Sequence, residues 1–136
     1  MPVVPRPSPC PSCPYRKDCP SGLWAEHEYA KLPGYDKPTW EQPPTMFHCH
    51  TAPDLACAGW VACHDMTESL GLRMGISMGL VTDPDAFCDY TTEVALFSTG
   101  AEAAEHGMRE IEYPSEEAGK AYRKIERQRA RKPAKP

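Results

Sequence analysis

Cys10 and Cys13 stand two residues apart in the run Cys10-Pro-Ser-Cys13-Pro, and two thiolates at that spacing can grip one metal from a single tight turn. The same spacing serves thioredoxin-like redox chemistry, but that use needs a strand before the motif and a helix starting at it. A proline-rich arm comes first here, with four prolines in residues 1–9, so ligation is the expected chemistry. Further donors are available between residues 49 and 64, where Cys49, His50, Cys57, Cys63 and His64 occur, and at Cys19. Zinc fingers and ribbons present their second pair two to five residues apart, whereas seven residues separate Cys49 from Cys57 and five separate Cys57 from Cys63. Cysteine followed by proline is a feature of ferredoxin-type cluster ligands, and Cys10, Cys13 and Cys19 all precede proline. An iron–sulfur cluster, 4Fe–4S in type, is therefore placed ahead of a single zinc ion.

The remaining donors have plainer readings. Cys88, between Phe87 and Asp89, is expected to be a buried thiol. His48 and His50 flank Cys49, and in an extended stretch both point away from its side chain. Cys63, His64 and Cys19 are the reserve ligands. Trp60 is expected in the core beside the centre, and His27 and His106 on helix surfaces.

Seven cysteines is an odd number, so a complete set of disulfides within one chain is impossible. No basic segment followed by an apolar run opens the chain and no window nears 18 apolar residues. A cytoplasmic protein with neither secretion signal nor membrane span is expected. The net charge of −4 hides an asymmetry: residues 1–119 carry 7 Lys and Arg against 18 Asp and Glu, or −11, while residues 120–136 carry 8 against 1, or +7. Arg123, Lys124, Arg127, Arg129, Arg131 and Lys132 would give that end a cationic helix face able to meet phosphates by charge. No aromatic residue follows Tyr122, so stacking on bases has little support.

The elements that must position these residues are short. A chain of 136 residues with 16 prolines has room for one domain but not for a large regular core, and a small core needs a staple. A mainly α fold is expected: a small, irregular, metal-stapled domain of about five short helices with long loops and at most a minor β element. Residues 1–9 form an arm, 10–119 the metal-binding domain and 120–136 the basic helix end and tail. Ser21 is a plausible cap for a first helix reaching about residue 32, stopped by Pro33-Gly34. A second holds Cys57, Trp60 and His64 on one face. A third starts at Thr67 and carries Gly71, Gly75 and Gly79, whose spacing marks close backbone approach. Asp83-Pro84 starts a short fourth helix, Thr92 to Phe97 has β character, Thr99-Gly100 opens a helix ended by Gly107, and Ser115 opens the last one.

The spacing of Cys10, Cys13 and Cys19, followed by Ser21-Gly22-Leu23-Trp24, resembles the cluster motif of the WhiB-like regulators of actinobacteria. Those proteins place their remaining cysteine upstream, where this chain has none, so the analogy is one of chemistry. A wider resemblance is carried by CPSCPYR at Cys10 to Arg16, SGLWA, EYAKLP, WEQPP leading to FHCH, CAGW, CHD and LFSTGAEAAEHG. These are similar to an uncharacterised domain-of-unknown-function family of actinobacteria and their bacteriophages, over about residues 8–115. That resemblance implies Cys10, Cys13, Cys49 and Cys57 as the ligand set and brings no activity with it.

No nucleotide-binding glycine loop, Ser–His–acid set or paired carboxylates occur, so no catalytic residues are assigned. The leading expectation is a metal-binding regulatory or binding module acting on nucleic acid or a host protein. A redox or metal-dependent enzyme and a purely structural zinc-stabilised protein are the alternatives.

Overall fold

A computed structural model describes residues 1–130. Among these the fold is mainly α, with six α-helices, three short 3-10 helices and isolated β-bridges in place of strands. The α-helices are α1 (Glu26–Ala30), α2 (Ala58–Cys63), α3 (Leu70–Ser77), α4 (Asp85–Cys88), α5 (Gly100–Met108) and α6 (Glu116–Ala130). No helix among the described residues is long and apolar enough to cross a membrane.

The prolines of the N-terminal arm forbid helix, and the backbone pairs outward instead. Val3 N–H donates to Leu80 O at 2.8 Å, Ala56 N–H to Val4 O at 3.0 Å and Arg6 N–H to Ala56 O at 3.0 Å. Ala56 also bridges His48 in the opposite sense, so one short rung joins the arm to the two segments that carry Cys49 and Cys57. The second layer is α5 lying on α1 and on the 3-10 helix Leu32–Asp36. Two glycines permit that approach, since a Cβ at Gly100 would stand 2.3 Å from Leu32 O and one at Gly107 2.1 Å from the Tyr29 ring. Asp36 accepts the first free amides of α5, Gly100 N–H and Ala101 N–H, both at 2.8 Å, which fixes the helix start from outside the helix.

Several local expectations are corrected by these contacts. Ser21 does not cap α1: its hydroxyl donates to Gly107 O and accepts from Glu110 N–H, tying the early loop to the end of α5. The first helix is accordingly shorter, and Pro33 and Gly34 lie inside the following 3-10 turn. Gly107 is interior to α5, held by the Tyr29 ring. Thr67 belongs to a 3-10 turn capped by Asp65, and Ser69 caps α3 by accepting from Leu72 N–H. Of the three spaced glycines, Gly71 meets backbone at Thr45 and Gly75 meets the Met46 side chain, but Gly79 faces open space in the left-handed region. Thr92 to Phe97 forms no strand, and only Leu96 makes a bridge, to Arg16. Thr99 caps α5, and Ser115 accepts from Ala118 N–H at the start of α6, both as the sequence predicts.

The Gly107 contact gives a direct test. Gly107→Ala is expected to cost about 1–3 kcal/mol of stability through overpacking, read from a denaturant midpoint. Gly119→Ala, where the nearest atom is the mobile end of Arg123, should be neutral or stabilising by up to about 1 kcal/mol. Equal effects at the two sites would contradict this packing of α5 on Tyr29.

Candidate metal centre

The Cys10–Cys19 segment is a chain of tight turns, with Cys13 N–H donating to Cys10 O at 2.9 Å, Arg16 N–H to Cys13 O at 3.0 Å and Cys19 N–H to Arg16 O at 3.2 Å. Side chains clamp it. Arg16 grips Asp18 at 2.7 and 2.8 Å and Pro9 O at 3.1 Å, and the Trp24 indole N–H donates to Ser12 O at 2.8 Å. Opposite lies a tight return of chain in which Cys49 N–H donates to Leu55 O at 2.9 Å and Cys57 N–H to Phe47 O at 2.8 Å. That return sets Cys49 beside Cys57 although seven residues intervene.

Cys10, Cys13, Cys49 and Cys57 are brought together, each at most 4% exposed. The sulfurs of Cys13 and Cys57 lie 3.7 Å apart, and Cys10 and Cys49 are near enough to perturb one another as a second thiol pair, while their sulfurs meet the Ser12 and Thr51 hydroxyls at 3.6 and 3.4 Å. Among the described residues, no three His, Cys, Asp or Glu side chains are gathered closely enough to hold a metal ion as they stand. The thiols are drawn up two by two, and a metal would take the place of the protons they carry.

The pairing sets how readily each thiol ionises. The Cys10 hydrogen bond brings the Cys49 thiol down from 9.0 to about 5, against the opposing effect of burial, with help from the Thr51 hydroxyl and the Thr51 and Ala52 amides. Cys10 is raised by the same bond and by burial. Cys13 is lowered first by its bond from Cys57 and then by the amides of Tyr15 and Gly59, while burial and that bond push Cys57 well up. In each pair one thiol is thus eased toward ionisation and its partner held protonated, most strongly at Cys49. The linkage follows: Cys49 ionises more easily folded than unfolded, so its contribution to stability is present above 9.0 and lost as pH falls through about 5. Cys10 has the opposite sign and loses its contribution above the ordinary thiol range.

Gly59 is a functional residue that the sequence reading missed. A Cβ there would sit 2.5 Å from the Cys13 sulfur and 2.7 Å from Tyr15 Cβ, so only glycine lets the first turn of α2 reach the loop. Its place in CAGW was the one available signal. Tyr15 is also part of this wall, fully buried with no hydrogen-bond partner for its hydroxyl, and burial together with the nearby thiols raises its ionisation well above normal.

Of the reserve donors, His64 is engaged on both ring nitrogens. His64 places Nδ1 2.9 Å from Trp60 O and Nε2 2.9 Å from Asp36 Oδ1. Cys19 is buried and raised to about 12 chiefly by that burial, and Cys63 is half-buried and raised to about 12 for the same first reason. Cys88, expected inside, is exposed because the apolar contact of α4 is made by Phe87. His48 is exposed, while His50 lies against the Trp24 ring at 4.6 Å and pairs with Glu28. His106 is no simple surface residue: its Nε2 donates to Cys19 O at 2.7 Å. Trp60 is 1% exposed.

At the other end of the chain, α6 buries Ala118 and Ile125 and exposes Arg123, Lys124 and Arg127. Arg129 lies within α6, and Arg131 and Lys132 lie outside the described residues.

A family model for a family of unknown function, DUF6283, matches residues 5–129. The chain belongs to that family. The matched span contains all seven cysteines and most of α6, so the thiol cluster and the helix over it fall within one family unit. No curated protein and no solved structure matches the chain.

The charge pattern predicts that reduced, metal-free protein will show one thiolate ionising near pH 5 in an ultraviolet absorbance titration. Cys49→Ser should remove that step. A titration with no thiolate appearing below pH 7 would contradict the Cys10–Cys49 arrangement.

Proposed function

We propose that this chain is a small binding module whose fold is stapled by one metal centre on Cys10, Cys13, Cys49 and Cys57. The observation that carries the reading is the burial of four thiols from two distant segments, with the Cys13 and Cys57 sulfurs 3.7 Å apart and the Cys49 thiol brought down to about 5. A thiolate in a water-poor interior is costly unless a cation balances it. A divalent metal does so and converts its binding energy into folding energy, adding a covalent-strength tie to the hydrogen bonds and ring packing that already join the loop to the return of chain. The 3.7 Å separation of Cys13 and Cys57 supports a single ion, because two sulfurs at zinc–sulfur distance on a tetrahedron stand about 3.8 Å apart. A 4Fe–4S cluster is the second reading, supported by the three Cys-Pro steps, and it would make the centre sensitive to oxidants as in the WhiB-like analogy. We read the place of action as the bacterial cytoplasm, in keeping with free thiols and the resemblance to actinobacterial and phage proteins.

The binding surface in this reading is the outer face of α6. Its cations project away from Ile125 and Ala118, which hold the helix to the body, and the acidic body leaves this face as the one suited to phosphates.

Metal analysis of protein purified without oxygen decides the centre. Cys13→Ser, Cys57→Ser and Gly59→Ala should lose the metal, and Cys88→Ser should keep it. Cys19→Ser and Cys63→Ser should also keep it, and loss of metal in either would redraw the ligand set. Zinc without iron or sulfide favours the single ion, and iron with acid-labile sulfide favours the cluster. Full-length protein free of both, with all thiols reduced, would defeat the proposal.

The surface has a separate test. Replacing Arg123, Lys124 and Arg127 with Gln leaves Ile125 in place and should reduce the salt dependence of DNA binding by roughly two to three units of slope, at about 0.9 per phosphate contact. An unchanged slope would remove nucleic acid as the partner of this face.

A further inference from the structure

Beside α6 lies an open cavity of about 480 Å³ between the turn before α1, the linker after α5 and the first two turns of α6. Its walls are apolar and aromatic, with Leu23, Trp24, Ile111 and Tyr122 the largest groups, and among the described residues the charged or ionisable side chains besides Tyr122 are Glu28 and His50. Among the described residues no lysine or arginine lines it, so a phosphate or carboxylate ligand would meet a carboxylate there.

Glu28 is built into the wall rather than scattered on it. One carboxylate oxygen, Oε2, is engaged by His50 Nε2, and His50 in turn lies against Trp24 and edge-on to Phe47 at 5.4 Å. Among the described residues Oε1 meets Lys31 Nζ and His27 Nε2, both at 3.1 Å, and those two side chains are 54% and 73% exposed. Exposed pairs of this kind contribute little and exchange readily. The inner bond therefore sets the carboxylate's direction, while the outer oxygen can change partner at small cost.

We propose that this cavity binds the side chain of an arginine presented by a partner protein. A guanidinium is planar, weakly hydrated and suited both to a carboxylate and to aromatic faces. Its aliphatic stem matches walls of leucine, isoleucine and tyrosine better than a bare metal or a small ammonium would. Tyr122 projects from α6 with 43% of its surface exposed, so it can close on such a side chain. The site goes beyond the metal-stapled reading, in that it names a second partner on a second face of α6, and it does not depend on which metal is present.

The test uses the full chain as purified, with its metal content measured in the same sample, and two blocked tripeptides, Gly-Arg-Gly and its neutral citrulline analogue. Saturable shifts of the Trp24 indole resonance are expected with the arginine peptide, at least tenfold weaker binding with citrulline, and a similar tenfold loss in Glu28→Gln. Should Glu28→Gln fold poorly, Tyr122→Ala, on the exposed face of α6, should weaken the arginine peptide severalfold while leaving distant resonances unmoved. Equal affinity for arginine and citrulline, absence of saturable shifts at Trp24, or an unaffected Tyr122→Ala variant would each overturn the assignment. A sample that holds its metal yet ignores the arginine peptide sinks this inference alone.

Discussion

Cys13 and Cys57 are 44 positions apart in the chain, and their sulfurs lie 3.7 Å apart in the interior. That contact closes the largest loop that the site requires, and closing a loop of such length costs conformational entropy that a pair of thiols alone repays poorly. Much of the surrounding structure can be understood as reducing that cost. The prolines at 11, 14 and 20 narrow the freedom of the cysteine loop before it folds. The arm and Ala56 hydrogen-bond to one another on the other side of the same closure, and Gly59 removes the side chain that would hold the two parts away from each other.

The second organising contact is polar. Asp36 receives two amides from the start of α5 and faces His64 at the end of α2. Through that one carboxylate the 3-10 turn, α2 and α5 share a fixed geometry, and α2 is the helix that opens at Cys57. The thiol cluster and the α1–α5 layer are therefore one body, joined where His64 and Asp36 meet. This also explains why His64 is a support of the fold: both of its nitrogens already face acceptors.

Charge is distributed in a way that the helices make directional. The body carries the negative excess and the end of the chain the positive one, but α6 does not simply trail away. Ala118 and Ile125 seat it on the body, so its basic residues are offered on one side while Tyr122 borders the cavity that Glu28 also lines. One helix thus borders two environments of opposite character, and the spacing of its apolar residues decides which is which.

What the sequence by itself determined is the chemistry and the local stops and starts. Seven cysteines, the Cys-Pro steps and the two-residue spacing of Cys10 and Cys13 indicate sulfur chemistry, the prolines exclude long strands, and Thr99 and Ser115 mark helix starts because a hydroxyl beside free amides acts within one turn of chain. The grouping of Cys10, Cys13, Cys49 and Cys57 came from a resemblance, since spacing left five donors open in the second segment. Only the tertiary structure decided the rest, for reasons that lie far along the chain. Ser21 looks like a cap but is claimed by Gly107 and Glu110, Gly107 looks like a terminator but is held by the Tyr29 ring, and Cys88 sits in an apolar context yet faces outward because Phe87 takes the inner position. The Glu28–His50 pair carries no local signature at all, and Gly59 only its place in CAGW, because their meaning is a distance to residues that the chain brings near only when it is folded.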